Sequence, residues 1–147
     1  MPLVSLVKYA RYQSAVASAD LELEVEIMAR IAANLAGAPL AGFVGEGMSP
    51  YGLMTPRTSA ALAVATASGM PVVRVGRGNT GGMAYKLEPR FISGNNLSAT
   101  KARLLLMAAM LKLGALPIAA DPFAPTEEEL GATVAAVTEY QAIFDSH

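Results

Sequence analysis

The chain has 147 residues, 53% of them hydrophobic, which is enough for one domain with a sizeable core and indicates apolar surface that an oligomer could bury. A net charge of -1 without a basic run gives no support to nucleic-acid binding, and the absence of cysteine with a lone terminal His147 leaves no Cys/His zinc site and no Ser-His-Asp triad. No segment reaches the roughly 18 apolar residues that span a bilayer, and the first residues lack the charge order of a secretory signal, so we predict no membrane partner and a cytoplasmic location.

The first part of the chain alternates between strand and helix patterns. Residues 3–9 form a short apolar run typical of a buried strand, and a second such run covers 40–47. Between them hydrophobic residues recur at helical spacing as far as Gly37, after a capping residue at Asp20 or Ser18. The predicted inward face of this helix consists of Leu21, Val25, Met28, Ala32 and Leu35.

A second helix is predicted between Thr55 and Gly69. Thr55 suits the cap, the following proline occupies the first helical position, where its missing N–H does no harm, and Gly69 ends the helix. The next run, "PVVRV", predicts a third strand. "PRFIS" predicts a weaker fourth strand, and its Pro89 favours a strand start or a sheet edge.

Two helices are predicted in the last third of the chain. Ser98 caps the first, which runs to Gly114, and Thr126 with Glu129 forms a capping box for the second. In the first helix we expect Lys101 and Arg103 outward, and Leu104, Leu105 and either Met107 or Ala108 inward. The predicted apolar face of the last helix consists of Leu130, Val134, Val137 and Ile143.

This order of elements predicts one three-layer α/β domain over residues 1–147, with a mostly parallel sheet of about four strands. In such sheets ligands bind beyond the carboxyl ends of the strands. The segments that follow the second and third strands carry Glu46, Tyr51, Arg77 and Thr80. These side chains supply enough polarity for a small-molecule site.

Thr80 lies in a glycine-rich stretch directly behind the third predicted strand. A threonine on such a turn could act as a nucleophile if a general base lay within hydrogen-bond reach, and Lys86 is near in sequence. The motif alone leaves open whether Thr80 is a nucleophile or a loop residue. The sequence contains neither a P-loop, a GxGxxG fingerprint after the first strand, nor a GxSxG elbow, and it lacks acidic clusters with metal-site spacing. We therefore expect no cofactor and no metal.

Three stretches carry a family resemblance: "GEGMSPYG", "SGMPVVRVGRGNTGG" and "SGNNLSATKARLLLMAAM". Between about residues 40 and 113 the sequence resembles the C-terminal domain of bacterial-type L-asparaginases and glutaminases. The most specific feature is the family segment Asn-Leu-x-x-x-Lys-Ala-Arg, which appears here as Asn96-Leu97 followed by Lys101-Ala102-Arg103. The resemblance implies an amidohydrolase fold and hydrolysis of the side-chain amide of asparagine or glutamine.

The same resemblance changes the interpretation of Thr80. In the family, the nucleophilic threonine, a second threonine and the lysine that it activates belong to a separate N-terminal domain, which these 147 residues do not match. Thr80 then resembles a loop threonine and is only a weak catalytic candidate. We therefore expect little activity from this chain alone, with an N-terminal catalytic domain supplied by another chain.

The family's Gly-Asn-Gly-Asn turn, which reaches into the active site of a neighbouring subunit, aligns with residues 45–48. Met48 replaces an asparagine that helps to hold the substrate's amino-acid head group, whereas Glu46 could still contact an ammonium group. The aligned turn and the polar segments beyond the strand ends together give Glu46, Met48, Tyr51 and Arg77 as candidate substrate-binding residues. The implied partners are a small amino-acid-like ligand and either further copies of the chain or an N-terminal asparaginase-like domain.

Two other functions remain open at the level of sequence. The chain could be a non-catalytic domain that binds an amino-acid-like ligand or supports oligomerisation, which Met48 favours. It could also be a stand-alone enzyme built around Glu46, Tyr51, Arg77 and Thr80.

Overall fold

The computed structural model describes residues 1–8, 25–37, 40–49, 51–77, 84, 86 and 88–147. Its sheet has four strands, all parallel and arranged in the order of the chain. They are β1 (Leu3–Lys8), β2 (Ala41–Gly47), β3 (Val72–Gly76) and β4 (Ile92–Ser93). The predicted parallel α/β sheet is confirmed, and the "PRFIS" segment supplies an edge strand as expected.

Within the described residues, four helices cover the two faces of this sheet. They are α1 (Val25–Gly37), α2 (Pro56–Ala67), α3 (Ala99–Leu113) and α4 (Glu127–Asp145). Val44 and Val73 pack with α3 and α4 on one face, whereas Phe43 and Val72 pack with α1 and α2 on the other. Because successive strand residues point to opposite faces, these short apolar strands are buried on both sides, which makes three layers.

The helix starts follow the capping residues of the sequence. The side chain of Thr55 accepts a hydrogen bond from the backbone N–H of Thr58, with Pro56 in the first turn. Ser98 caps α3, and Thr126 with Glu129 forms the complete capping box of α4. All three caps are confirmed, because each depends on local side-chain chemistry that sequence spacing already reveals.

The predicted inward face of α3 is partly wrong. Leu104 is 63% exposed and Ala108 is exposed, while Leu105 and Met107 are only partly buried. Lys101 and Arg103 are exposed, as predicted. The residues that α3 buries against the sheet are Ala102, Leu106, Ala109 and Met110. Eight of the nine residues from 104 to 112 are apolar, so the sequence has no clear helical period there, and packing alone selects the face.

The faces of α1 and α4 are also rotated from the predicted ones. In α1, Ala32 and Leu35 are exposed and Met28 is partly buried, whereas the buried residues are Ile27, Ile31 and Asn34. Leu21 and the two possible caps, Ser18 and Asp20, lie outside the described residues. In α4, Val137 is buried as predicted; Leu130, Val134 and Ile143 lie at the margin of a face formed by Thr133, Val137, Tyr140 and Phe144. Each buried face includes a polar residue, Asn34 in α1 and Thr133 in α4. A search for apolar residues at helical spacing leaves such positions out, and the predicted faces were therefore rotated.

Candidate functional site

Glu46 and Arg77 form an ion pair at the carboxyl ends of β2 and β3. The Nε of Arg77 lies 3.3 Å from Oε1 of Glu46. The backbone N–H of Arg77 donates to the carbonyl oxygen of Gly47 over 3.1 Å, which continues the strand pairing one residue beyond β3. Two of the four predicted substrate-binding residues are therefore in contact at the edge where parallel sheets bind ligands.

Lys8 lies beside this pair, although the sequence reasoning did not select it. The register places Lys8 of β1 opposite Glu46 of β2. Leu6, Val44 and Val75 pack on the α3 and α4 side of the sheet. Since side chains two residues apart share a face, Lys8 and Glu46 follow on that same side. The edge thus carries a cation, an anion and a cation on three neighbouring strands, a pattern that strand alternation could have revealed.

A tight turn follows Glu46 and fixes the position of Met48. Met48 donates its N–H to the carbonyl oxygen of Leu53 over 2.8 Å and accepts at its own carbonyl from Gly52 over 2.8 Å. Gly52 has a φ of 72°, in the left-handed region that favours glycine. A Cβ on Gly47 would lie 2.3 Å from the carbonyl carbon of Gly52, so only glycine permits this close approach.

The turn that follows Glu46 carries large exposed side chains. Met48 and Tyr51 are each 40% exposed, and Leu53 is 37% exposed. Glu46 is mostly buried, with 17% of its side chain exposed, whereas 54% of the Arg77 side chain is exposed. A ligand at this edge would meet an exposed guanidinium, a fixed carboxylate and an apolar rim, which suits a small amphipathic molecule or the surface of another chain.

Thr80 lies outside the described residues. Lys86, the lysine nearest to Thr80 in sequence, contacts a different group, since its Nζ lies 2.6 Å from Oδ2 of Asp145. Glu88, the first acidic residue after Arg77, contacts Arg90 at 2.5 Å and Arg74 at 3.7 Å. Both sequence neighbours of the glycine-rich stretch are thus engaged in ion pairs away from Glu46 and Arg77.

A second polar cluster lies where β4 meets α4. The side-chain amide of Gln141 accepts from the backbone N–H of Ser93 over 2.7 Å and donates to the carbonyl oxygen of Ser93 over 3.1 Å. Asn95, which has a φ of 52°, donates to Oδ1 of Asp145 over 3.1 Å. Sequence reasoning missed this cluster because the residues that it joins, Ser93 with Gln141 and Asn95 with Asp145, lie 48 and 50 residues apart and share no motif.

Arg74 is buried within β3, on the face of the sheet that α1 and α2 cover, as Val72 two residues earlier is. Its guanidinium carbon lies 5.4 Å from the centre of the Phe91 ring. Burial lowers the pKa of Arg74, and the nearby charge of Glu88 partly offsets this effect. The contacts of Arg74 are those of a core residue that a carboxylate and an aromatic ring neutralise and cover.

Metal-ligating side chains do not gather in the described part of the chain, where no group of three or more His, Asp or Glu residues could hold an ion. Within the same residues, no helix combines the length and the apolar character needed to cross a membrane.

Comparison with known proteins shows a similarity in structure. No family model matches the sequence, and no curated protein matches it. The crystal structure of a "probable cytoplasmic L-asparaginase" from Campylobacter jejuni is similar, with a TM-score of 0.62 and 21% identity, over 97% of this chain. The chain has an asparaginase-like fold. It spans 35% of the length of that asparaginase, so the likeness concerns about one third of the larger protein.

Proposed function

We propose that the chain is the C-terminal module of an asparaginase- or glutaminase-like amidohydrolase. In this proposal the module presents Glu46, Met48, Tyr51 and Arg77 to an amino-acid-like substrate, and a catalytic domain on another chain hydrolyses the side-chain amide. The observation that supports the proposal is the asparaginase-like fold over 97% of the chain, together with an ion pair at the carboxyl ends of β2 and β3.

The geometry of the ion pair suits the head group of an amino acid. Arg77 can donate to a carboxylate, and the carboxylate of Glu46 can accept from an ammonium group. Lys8 adds a second cation on the other side of Glu46. An amino-acid zwitterion would thus meet opposite charges in an arrangement complementary to its own.

Hydrolysis requires an activated nucleophile in addition to this binding edge. A threonine hydroxyl reacts only when a neighbouring base or a lowered pKa activates it. Lys86, the lysine nearest to Thr80 in sequence, contacts Asp145. The proposal therefore assigns the nucleophile to the catalytic domain and no covalent step to Thr80.

Exposed apolar residues on α3 favour association with another chain. Leu104 and Leu111 lie two turns apart on the outer side of α3 and are 63% and 67% exposed. Such surface favours association, because its burial stabilises by about 25 cal/mol per Å². We expect a homo-oligomer in the absence of the catalytic domain. Light scattering at micromolar concentration tests this: Leu104→Glu should shift the protein towards monomer, and a wild-type monomer would contradict the expectation.

A non-catalytic binding or oligomerisation domain is the second candidate. Met48 favours it, because an exposed thioether cannot replace the hydrogen bonds that an asparagine would give to a substrate head group. In this alternative the Glu46 and Arg77 edge binds an amino-acid-like ligand without any turnover.

Ammonia release from asparagine and glutamine separates the two functions. The chain is assayed alone and after mixing with the N-terminal domain of a bacterial-type L-asparaginase. We expect little release by the chain alone and a clear increase in the mixture, which Arg77→Met should reduce. No increase in a mixture that forms a stable complex would favour the non-catalytic domain. Robust release by the chain alone, abolished by Thr80→Ala, would instead make Thr80 the nucleophile.

A further inference from the structure

A cavity of about 360 Å³ lies between α4 and the residues that precede β4. None of the residues assigned to the proposed function lines it. Its floor is apolar and includes Phe91 and Val137, which belong to the core, beside the half-buried Val134. The volume falls within the roughly 300–1,000 Å³ typical of small-molecule sites.

The rim of this cavity carries the Lys86 and Asp145 ion pair. Their side chains are 57% and 42% exposed, so a ligand can reach both. The other oxygen of Asp145 accepts from Asn95 over 3.1 Å and from Gln141 over 2.9 Å. The hydrogen bond from Lys86, followed by those from its other donors, lowers the pKa of Asp145. Asp145 therefore stays ionised and holds Lys86 at the rim.

The hydrogen-bonding capacity of the rim favours a ligand that accepts. An ammonium group has three N–H donors, and the contact with Asp145 uses one, which leaves two for a ligand. Asp145 already accepts three hydrogen bonds, and Glu88 has its two oxygens next to Arg90 and Arg74. Among the described residues that line the cavity, Lys86 is the only cation, and both lining carboxylates already contact cations, so Lys86 is the charged group with hydrogen-bonding capacity left for a ligand.

The neighbouring sheet edge does not offer pairing to a peptide strand. The backbone N–H and carbonyl of Ser93 point away from β3, where an added strand would bind. Gln141 already bonds to both groups, at 2.7 and 3.1 Å. The cavity therefore suits a small molecule rather than an extended segment of another protein.

We propose that this cavity binds a small organic carboxylate with an apolar body. The carboxylate accepts hydrogen bonds from Lys86 at the rim, and the apolar body lies against Phe91, Val134 and Val137. This site is separate from the edge formed by Glu46 and Arg77, and it does not depend on the proposed function.

Isothermal titration with three probes of similar size tests the ligand class. The probes are 3-phenylpropionate, which combines a carboxylate with an apolar body, 3-phenylpropanol, which lacks the charge, and phenethylamine, which reverses it. We expect 3-phenylpropionate to bind more tightly than the other two. Tighter binding of phenethylamine, or no binding of 3-phenylpropionate at millimolar concentration, would overturn the proposal.

Substitutions locate the binding on the protein. Lys86→Met keeps the aliphatic stem, and it should weaken 3-phenylpropionate binding by about tenfold or more, the loss expected for a charge-assisted hydrogen bond. Lys112→Met, at an exposed position near the end of α3, is the matched control and should bind normally. Ala142→Trp should block the cavity at its exposed margin. Unchanged binding in both Lys86→Met and Ala142→Trp would place the ligand elsewhere and contradict the site.

Discussion

The carboxyl edge of β2 and β3 and the junction of β4 with α4 are both polar, but their polar groups are arranged differently. At the edge, Arg77 is 54% exposed beside a turn whose Met48 and Tyr51 also face solvent. At the junction, Ser93 is 1% exposed, and its backbone groups bond to Gln141. Buried polar groups that satisfy one another maintain a fold, whereas polar groups at an exposed edge can be reached by a ligand.

The largest expected effect comes from the turn that supports the edge. Gly47→Ala would place a Cβ 2.3 Å from backbone atoms of Gly52 and 2.6 Å from the carbonyl oxygen of Leu53. Because backbone must move to relieve these contacts, we expect a loss of about 3 kcal/mol or more in the free energy of unfolding.

Urea denaturation measures this effect against a glycine in open surroundings. Gly131 lies within α4, and a Cβ there meets nothing within 4 Å. Gly131→Ala should stabilise the protein by about 1 kcal/mol through helix propensity. Equal stability of the two variants would show that the turn is not rigid.

The stability of the α4 side should fall at alkaline pH. Tyr140 is buried, its hydroxyl donates to the carbonyl of Gly114, and burial raises its pKa to about 12. Since the pKa is higher in the folded protein than the unfolded value of about 10, the stabilisation is full below pH 10 and is lost as pH rises towards 12. The loss over this range is about 2–3 kcal/mol. Chemical denaturation of Tyr140→Phe should show a correspondingly shallower alkaline decline, and an unchanged decline would contradict this role.

Gln141 tests whether the junction is structural. Gln141→Leu removes both hydrogen bonds to the backbone of Ser93 and leaves a buried N–H and carbonyl without them. We expect a cost of about 2 kcal/mol in denaturant unfolding. Glu139→Gln, on the exposed side of the same helix, should change stability by no more than about 0.5 kcal/mol. A loss in Gln141→Leu as small as in this control would contradict the structural role.

Arg77 should show the smallest effect on stability and a large effect on binding. Its ion pair with Glu46 is partly exposed, so Arg77→Met should cost about 0.5 kcal/mol of unfolding free energy. Ligand binding at the edge should nevertheless fall, because the guanidinium is the exposed donor there. A variant that loses several kcal/mol in thermal or chemical unfolding would assign Arg77 to the fold instead.

Much of the fold could be predicted from the sequence because its signals are local. Caps such as Thr55 and Thr126 depend on side chains within three residues, and short valine-rich runs mark strands covered on both faces. The buried faces of the helices were harder to predict. In α3 the run from 104 to 112 is almost entirely apolar, so only contact with the sheet determines that Leu106 is buried and Leu104 is exposed.

The candidate site was predictable only in part. Glu46 and Arg77 were selected because they lie at the ends of neighbouring predicted parallel strands, where ligands bind in such sheets. The contact between them confirms that they lie together. To predict that Lys8 lies opposite Glu46 requires the strand register, which is known only once β1 is paired with β2. The Gln141 and Asp145 cluster required the position of α4, a long-range property that no local motif encodes.

Calorimetric titration of L-asparagine tests most directly whether the β2 and β3 edge receives an amino-acid-like ligand. The comparison is between wild type, Glu46→Gln and Glu26→Gln; Glu26 forms an exposed ion pair with Arg30 at 3.7 Å, away from the edge. We predict that Glu46→Gln weakens binding by about tenfold or more, since it removes the negative charge that pairs with the ammonium group and leaves only a neutral acceptor. Glu26→Gln should bind like wild type. Equal affinities of the two variants would contradict the account.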